Sequence, residues 1–208
     1  MSDRVTITGA RASSRYGKHV TAEPATGMAD EERIVVSGGA YGIEAAAHRA
    51  VLAAGGQTIA VLANGLDRSY PNAHTELPNR IGEVGLLLSE LPPGTTSTKH
   101  RFTARNRFMA ALSGATLIPE AGPRSRSMLT ATFALGLGRD IGAVPGPVTS
   151  IGSIGPNELI KHGFASVVTQ PSDVIALLDA DDSDGPSVAL SWFGQRLDPG
   201  QEPPRRGL

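Results

Sequence analysis

Residues 34–48 read IVVSGGAYGIEAAAH: a β-branched apolar run, a turn carrying Gly38, Gly39 and Gly42, and the opening of a helix. A short continuous apolar run bounded by turn residues is the pattern of a strand buried on both faces. The glycines let the backbone bend sharply and approach an anion, while the helix that follows offers free N–H groups and the positive end of its dipole. Strand, glycine turn and helix in that order is the unit from which parallel α/β sheets are built. The turn reads either as a phosphate cradle formed by Ser37, Gly38 and Gly39 or as a packing device, since it lacks GxGxxG spacing and no GxxxxGK[ST] loop occurs. Glu44 and His48 stand one helical turn apart and read as a helix-face pair bonded for structure, in preference to a metal or acid/base site.

Outward from this unit, similar apolar runs recur at 5–8, 58–62, 86–89, 115–119 and 141–144, with helix-length segments at 16–30, 43–54, 73–83, 101–112 and 128–137. The alternation predicts an α/β fold with a mostly parallel sheet, helices on both faces and right-handed crossovers. Pro24 is expected to shorten or kink the first helix. Tyr70-Pro71 reads as an extended turn, with Asn72 as N-cap of the third helix. Two further short helices, one opened by Asn157 and one over 171–178, close the domain. The 208 residues suit one domain, 1–178, and an acidic, Pro/Gly-rich tail, 179–208, in which only 188–197, with SWFG, is apolar enough to pack on the body or a partner.

Cysteine is absent, which excludes a disulfide framework and thiolate metal sites. The start MSDRVTITGA lacks an apolar leader and no run is long enough to cross a bilayer, so a cytoplasmic protein without membrane association is expected. The net charge of −1 hides an uneven distribution: residues 1–178 carry 16 Lys+Arg against 14 Asp+Glu, and 179–208 carry 3 against 6. From Lys99 to Arg126 there are six cations and a single acid, Glu120. Clustering of this kind matters more than pI for binding a polyanion.

The densest part is KHRFTARNRFMAALSG, residues 99–114. As a helix from Arg101 it puts Phe102 and Asn106 on one face, Arg101 and Arg105 on another, and Phe108, Ala111 and Leu112 on the side that docks on the sheet. An exposed Phe102 ring beside Lys99, Arg105 and Arg107 suits a phosphate backbone with an unstacked base on the ring. The alternative is a solvated basic helix start with Phe102 in the core. After the first strand, TGARASSRYG turns at Gly9 and puts Arg11 at the carboxyl edge of the sheet, where ligands of open α/β sheets collect. After the fifth run, Ser125, Arg126 and Ser127 stand at a helix amino end, a second anion position in which Ser127 reads equally as an N-cap.

These pieces in this order resemble the DNA-processing protein A (DprA, also called Smf) family. The resemblance rests on TGAR, SGGAYGIEAAAHRA, AVLANGLDRSYP, LLLSELPPGT, RFTARNRFMAALS, SRSMLTATFALGLGRDIGAVPG and GPNELIKHG, which span nearly all of 5–178. It implies an extended Rossmann-like fold that binds single-stranded DNA, dimerises through this domain and helps to place a RecA-type recombinase on the strand during recombination or natural transformation. It implies no catalysis and no cofactor or metal. By position it implies a DNA-binding pocket of Arg11, Ser37, Gly38, Gly39, Lys99, Phe102, Arg105, Asn106 and Arg107, to which the charge pattern adds Arg126. The chain departs from the family pattern at Gly39, where a larger apolar residue is usual, and at Glu44, where Asp is usual. It also has PRSRS where the family has SGS, so Arg124 and Arg126 are expected to strengthen anion binding or alter its geometry. No helical domain precedes Val5 and no winged helix follows, so a core-only member is expected.

Two readings of other classes stand beside this one. The first is an enzyme on a nucleotide, akin to phosphoribohydrolases on a related sheet. It calls for a PGGxGT turn followed by a catalytic Glu, and residues 122–130 hold neither a glycine pair nor a carboxylate. The second is a scaffold that binds only protein.

Overall fold

The computed structural model describes residues 3–68 and 76–180. The expected turn and N-cap at 70–72, the first residues of the third predicted helix and the stretch 188–197 lie outside the described residues.

The strands are β1 (Arg4–Ile7), β2 (Ile34–Gly38), β3 (Thr58–Val61), β4 (Leu86–Leu88), β5 (Ala115–Ile118), β6 (Asp140–Ala143) and β7 (Ser166–Val167). They form one sheet in the order β4-β3-β2-β1-β5-β6-β7, with every pairing parallel. β1 is central, with Val5 opposite Val35 on one side and Ala115 on the other. The sequence pattern predicts six strands; β7 is an exposed two-residue pairing, too short to leave a pattern of its own.

The helices are α1 (Arg15–Asp30), α2 (Ile43–Ala53), α3 (Glu76–Val84), α4 (Lys99–Leu112), α5 (Ser127–Gly136), α6 (Ile154–Lys161) and α7 (Pro171–Asp179), and a 3-10 turn (Ile151–Ser153) leads into α6. On one face of the sheet Val5, Ile7, Val35 and Leu117 pack with Met28 of α1, Ile43 and Val51 of α2, and Val174 and Leu178 of α7. On the other, Ile118, Ile141 and Ala143 pack with Ala110 of α4, Ala131 of α5 and Leu159 of α6, while Val36 and Val61 meet Met109 of α4. Val35 and Val36 thus serve opposite faces, as strand geometry requires. Each large aliphatic side chain buried in this way contributes about 1.5–3 kcal/mol, which is what holds the three layers together.

Two expectations about the helices are corrected. α1 is not shortened at Pro24 but runs through it for 16 residues; the proline is buried, and packing outweighs the missing helical hydrogen bond. α4 starts at Lys99 because Thr98 caps it, its hydroxyl accepting from the Arg101 N–H. Its buried stripe is Phe102, Arg105, Asn106, Met109 and Ala110; of the predicted docking side, Phe108 and Leu112 are half-buried against Val36 and Val61, and Ala111 is exposed. Arg105 therefore shares a face with Phe102 and Asn106.

From β1 the chain works outward to β4, crosses back to β5 on the other flank of β1, and works outward again. The loops after β1 and β5 therefore part company, and the crevice between them is where an open α/β sheet receives a ligand.

Candidate nucleic-acid interface

A groove of about 620 Å³ occupies that crevice. It is walled by residues 9–12 after β1, by Phe102 and Asn106 of α4, by residues 122–127 after β5, and by Ile151 and Gly152 of the 3-10 turn. Its floor is built from backbone. The Ala10 N–H donates to the Glu120 carbonyl (2.7 Å), the Ile43 N–H to the Ala10 carbonyl (3.1 Å) and the Ala121 N–H to the Gly152 carbonyl (2.7 Å). Gly42, at φ 81°, must be glycine both for its conformation and because a Cβ would collide with the Ala10 and Arg11 backbone.

Glu120, the one acid of the basic stretch, lies beneath this floor. Its carboxylate accepts from the Ser14 N–H and the Ser14 hydroxyl, both at 2.8 Å, and a Cβ on Gly17 or Gly152 would collide with it. No residue lining the groove is acidic. Arg11, Arg124 and Arg126 stand exposed along it. Lys99 is exposed in the first turn of α4, and its carbonyl accepts from Arg126 Nη1 (3.4 Å). Asn106 acts on the loop instead of facing outward as a free ligand: its Nδ2 donates to the Arg126 carbonyl at 2.9 Å. The Ser125 and Ser127 hydroxyls bond to each other at 2.6 Å.

Phe102 does not present an open ring. It is 9% exposed, and the Arg11 guanidinium lies 4.4 Å from its ring centroid. This corrects the expectation of a base lying directly on the phenyl face. A guanidinium over an aromatic face is held by the ring's charge distribution, and because Arg11 is exposed and lines the groove it is itself the surface that the groove meets.

Arg105 is turned inward. At 5% exposure its Nη2 pairs with Glu44 Oε1 at 3.2 Å and its Nη1 donates to the Val61 carbonyl at 3.0 Å. Glu44 also accepts from the Thr8 hydroxyl and the Ala40 N–H, both at 2.9 Å. Burial pushes the Glu44 carboxyl up, but the Arg105 guanidinium and these two donors together hold it below the usual carboxylate range. The turn before α2 is thus closed by the chain's own groups, the Ala40 N–H going to the Glu44 carboxylate and the Ile43 N–H to the Ala10 carbonyl, which corrects the reading of Ser37, Gly38 and Gly39 as a phosphate cradle. The Ser37 hydroxyl donates to the Ile7 carbonyl (2.5 Å), a Cβ on Gly38 would collide with the Arg105 guanidinium, and Gly39 lines a separate small apolar hollow beside Tyr41. Arg107 points away from the groove, paired with Glu90 at 2.5 Å and stacked over Phe108 at 4.5 Å.

His48 and Glu44 do not bond to each other as the helix-face reading expects. His48 bonds the Thr58 hydroxyl (2.8 Å) and the Gly38 carbonyl (3.1 Å), and burial drives its pKa down to about 4 against the opposing pull of Glu44. Both groups nonetheless serve structure, tying α2 to β1, β2, β3 and α4.

The model of the family described as DNA recombination-mediator protein A matches residues 1–179. The chain belongs to that family. A DprA-named protein of Mycobacterium tuberculosis is 47% identical over 194 residues, covering 91% of this chain and 50% of its own length. The crystal structure of DNA processing protein A from Streptococcus pneumoniae superposes with a TM-score of 0.78 at 40% identity, over 83% of this chain and 60% of that one. DNA processing protein A from Helicobacter pylori, whose structure describes a single-stranded DNA binding mode, superposes with a TM-score of 0.77 at 32% identity, over 84% and 79%. The chain therefore has the Rossmann-like domain of the DprA family, and it spans about half the length of the M. tuberculosis relative. Among the described residues no helix is long and apolar enough to cross a membrane, and no group of His, Asp and Glu is placed to hold a metal ion.

Of the positions that the DprA resemblance implies, the groove gathers Arg11, Phe102 and Asn106, together with Arg126 from the charge pattern. It also includes Ile151, whose signal in the sequence is an aliphatic residue in a Pro- and Gly-rich loop, PGPVTSIGS over 145–153.

Proposed function

We propose that this chain is a non-catalytic single-stranded DNA-binding protein of the DprA type, acting in DNA recombination or transformation. The observation that carries the reading is a groove at the switch point of the sheet with Arg11, Arg124 and Arg126 along it and no acidic side chain in its lining. Phosphates meet these guanidiniums and Lys99, and a base stacks on the exposed guanidinium of Arg11, which Phe102 holds in place. A single strand can supply both contacts, because its bases are free to turn outward; a duplex keeps them stacked inside and offers only its phosphates. The reading without catalysis rests on the groove lining having no carboxylate and on Glu120, behind Gly152, being buried and engaged by Ser14.

From the family come two further parts of the proposal: a homodimer, and assistance to a RecA-type recombinase. The cytoplasm is the compartment in which both would act. The deciding experiment titrates the protein with single-stranded and duplex oligonucleotides at two salt concentrations. Tighter binding of the single strand, weakened about ten-fold or more by Arg11→Ala, is expected. Indifference of both DNA forms to that substitution, or release of a free base from a nucleoside monophosphate, would overturn the reading. Sedimentation of the free protein tests the homodimer, and recombinase filament formation on protein-coated strands tests the loading role.

A further inference from the structure

The loop after β6 leaves Val148 90% and Ile151 73% exposed, the highest fractional exposures of any large hydrophobic residue among those described. Tyr16 of α1, itself exposed, leans on the same loop and donates its hydroxyl to the Pro145 carbonyl at 2.5 Å. The loop is held firmly. Its Ser150 N–H donates to the Pro147 carbonyl (2.9 Å), and the Asn157 side chain exchanges two hydrogen bonds with the Gly146 backbone (3.0 and 3.1 Å). Backbone and Asn157 contacts set its shape, so the exposed side chains are presented and not required by the fold. Scattered surface aliphatics need no explanation, but Ile151 also lines the basic groove, and this strip continues it.

We propose that Tyr16, Val148 and Ile151 form a second base-contact surface, taking nucleobases of the strand as it leaves the groove. The inference rests on the reading that the groove binds single-stranded DNA. The occupant follows from the division of chemistry: the cations stand on the loops after β1 and β5 and at the start of α4, while the β6 loop, 145–153, carries no charged side chain and presents Val148 and Ile151. A strand pinned by its phosphates on the first is left with unstacked bases to cover the second, and each base so covered leaves water.

The test compares the parent with Val148→Ser, a position outside the lining of the groove, by fluorescence anisotropy. The probes are a poly-dT strand of about 20 nucleotides, an abasic strand of equal length, and a dT oligomer of about 4 nucleotides that fills only the groove. This variant is expected to bind the long dT strand about ten-fold more weakly with an unchanged salt slope, since it loses a base contact and keeps every phosphate contact. It should bind the abasic and short probes like the parent, and melt at the parent's temperature because the Val148 side chain is solvent-facing. Equal binding of long dT by parent and variant overturns this inference and leaves the groove reading standing. An equal loss on the abasic strand also overturns it. A parent that binds neither long strand overturns both.

Discussion

Arg105 shows how far one side chain's role depends on what faces it. In the sequence it is one cation among several beside an aromatic, and nothing local reveals its partner, because Glu44 lies 61 residues away. With the pair buried, the consequence of removing the cation changes in kind. Arg105→Ala leaves the Glu44 carboxylate uncompensated in the core and is expected to cost about 3–5 kcal/mol in urea unfolding. It should leave the salt dependence of DNA binding as it is. Glu44→Leu/Arg105→Leu should recover much of that loss, because neither charge is then stranded. The neighbouring His48 supplies a pH signature. Its folded pKa of about 4 lies below the ordinary 6.5, so between those values the unfolded chain binds a proton that the native one does not. Stability therefore falls as pH drops through that window, by on the order of 3 kcal/mol in total. Glu44, also depressed, adds a loss of the same sign at lower pH. Urea midpoints for the parent should slope between pH 6.5 and 4, and those of His48→Gln should be flatter there.

At the scale of elements, strands and helices were legible wherever the apolar pattern was long enough to have a period. Val5, Val35 and Leu117 mark their strands plainly; Ser166 and Val167 form a strand only because β6 lies beside them. The start of α4 was misplaced because Thr98 sits in a polar run where any of several residues could cap. Phe108 and Leu112 dock on the sheet as their spacing predicts, whereas Arg105 joins the buried face only through Glu44 on another helix. Contacts between elements also decide what a glycine substitution does. In an exposed helix interior Gly→Ala adds about 1 kcal/mol of stability. Gly82→Ala in α3, where a Cβ would make only ordinary contact with Leu87, should show that gain. Gly17→Ala in α1 should do the reverse and lose about 1–3 kcal/mol, because its Cβ enters the space of the Glu120 carboxylate. Melting temperatures moving in opposite directions for the two variants would establish that the Ser14–Glu120 link under the groove is tightly packed.

For the whole molecule, the near-zero net charge means that a polyanion is not drawn in by a general field; attraction has to come from the few cations the fold gathers at the switch point. That gathering was only partly readable. Arg11 and Arg126 lie far apart in sequence and meet because β1 and β5 are neighbours, whereas Arg107, between them in the chain, is turned away to Glu90. The geometry sets a number. With Lys99, Arg11, Arg124 and Arg126 as the phosphate contacts, and about 0.7 counterions released per phosphate of a single strand, log K against log salt should fall with a slope of about −3. Arg126→Ala should make the slope shallower by about 0.7, and Arg105→Ala, its charge already spent on Glu44, should not change it. Anisotropy titrations at several salt concentrations measure both. A parent slope of about −6 or steeper would mean that phosphates are gripped over a much larger surface than this groove, and the site would then have to be redrawn around cations outside it.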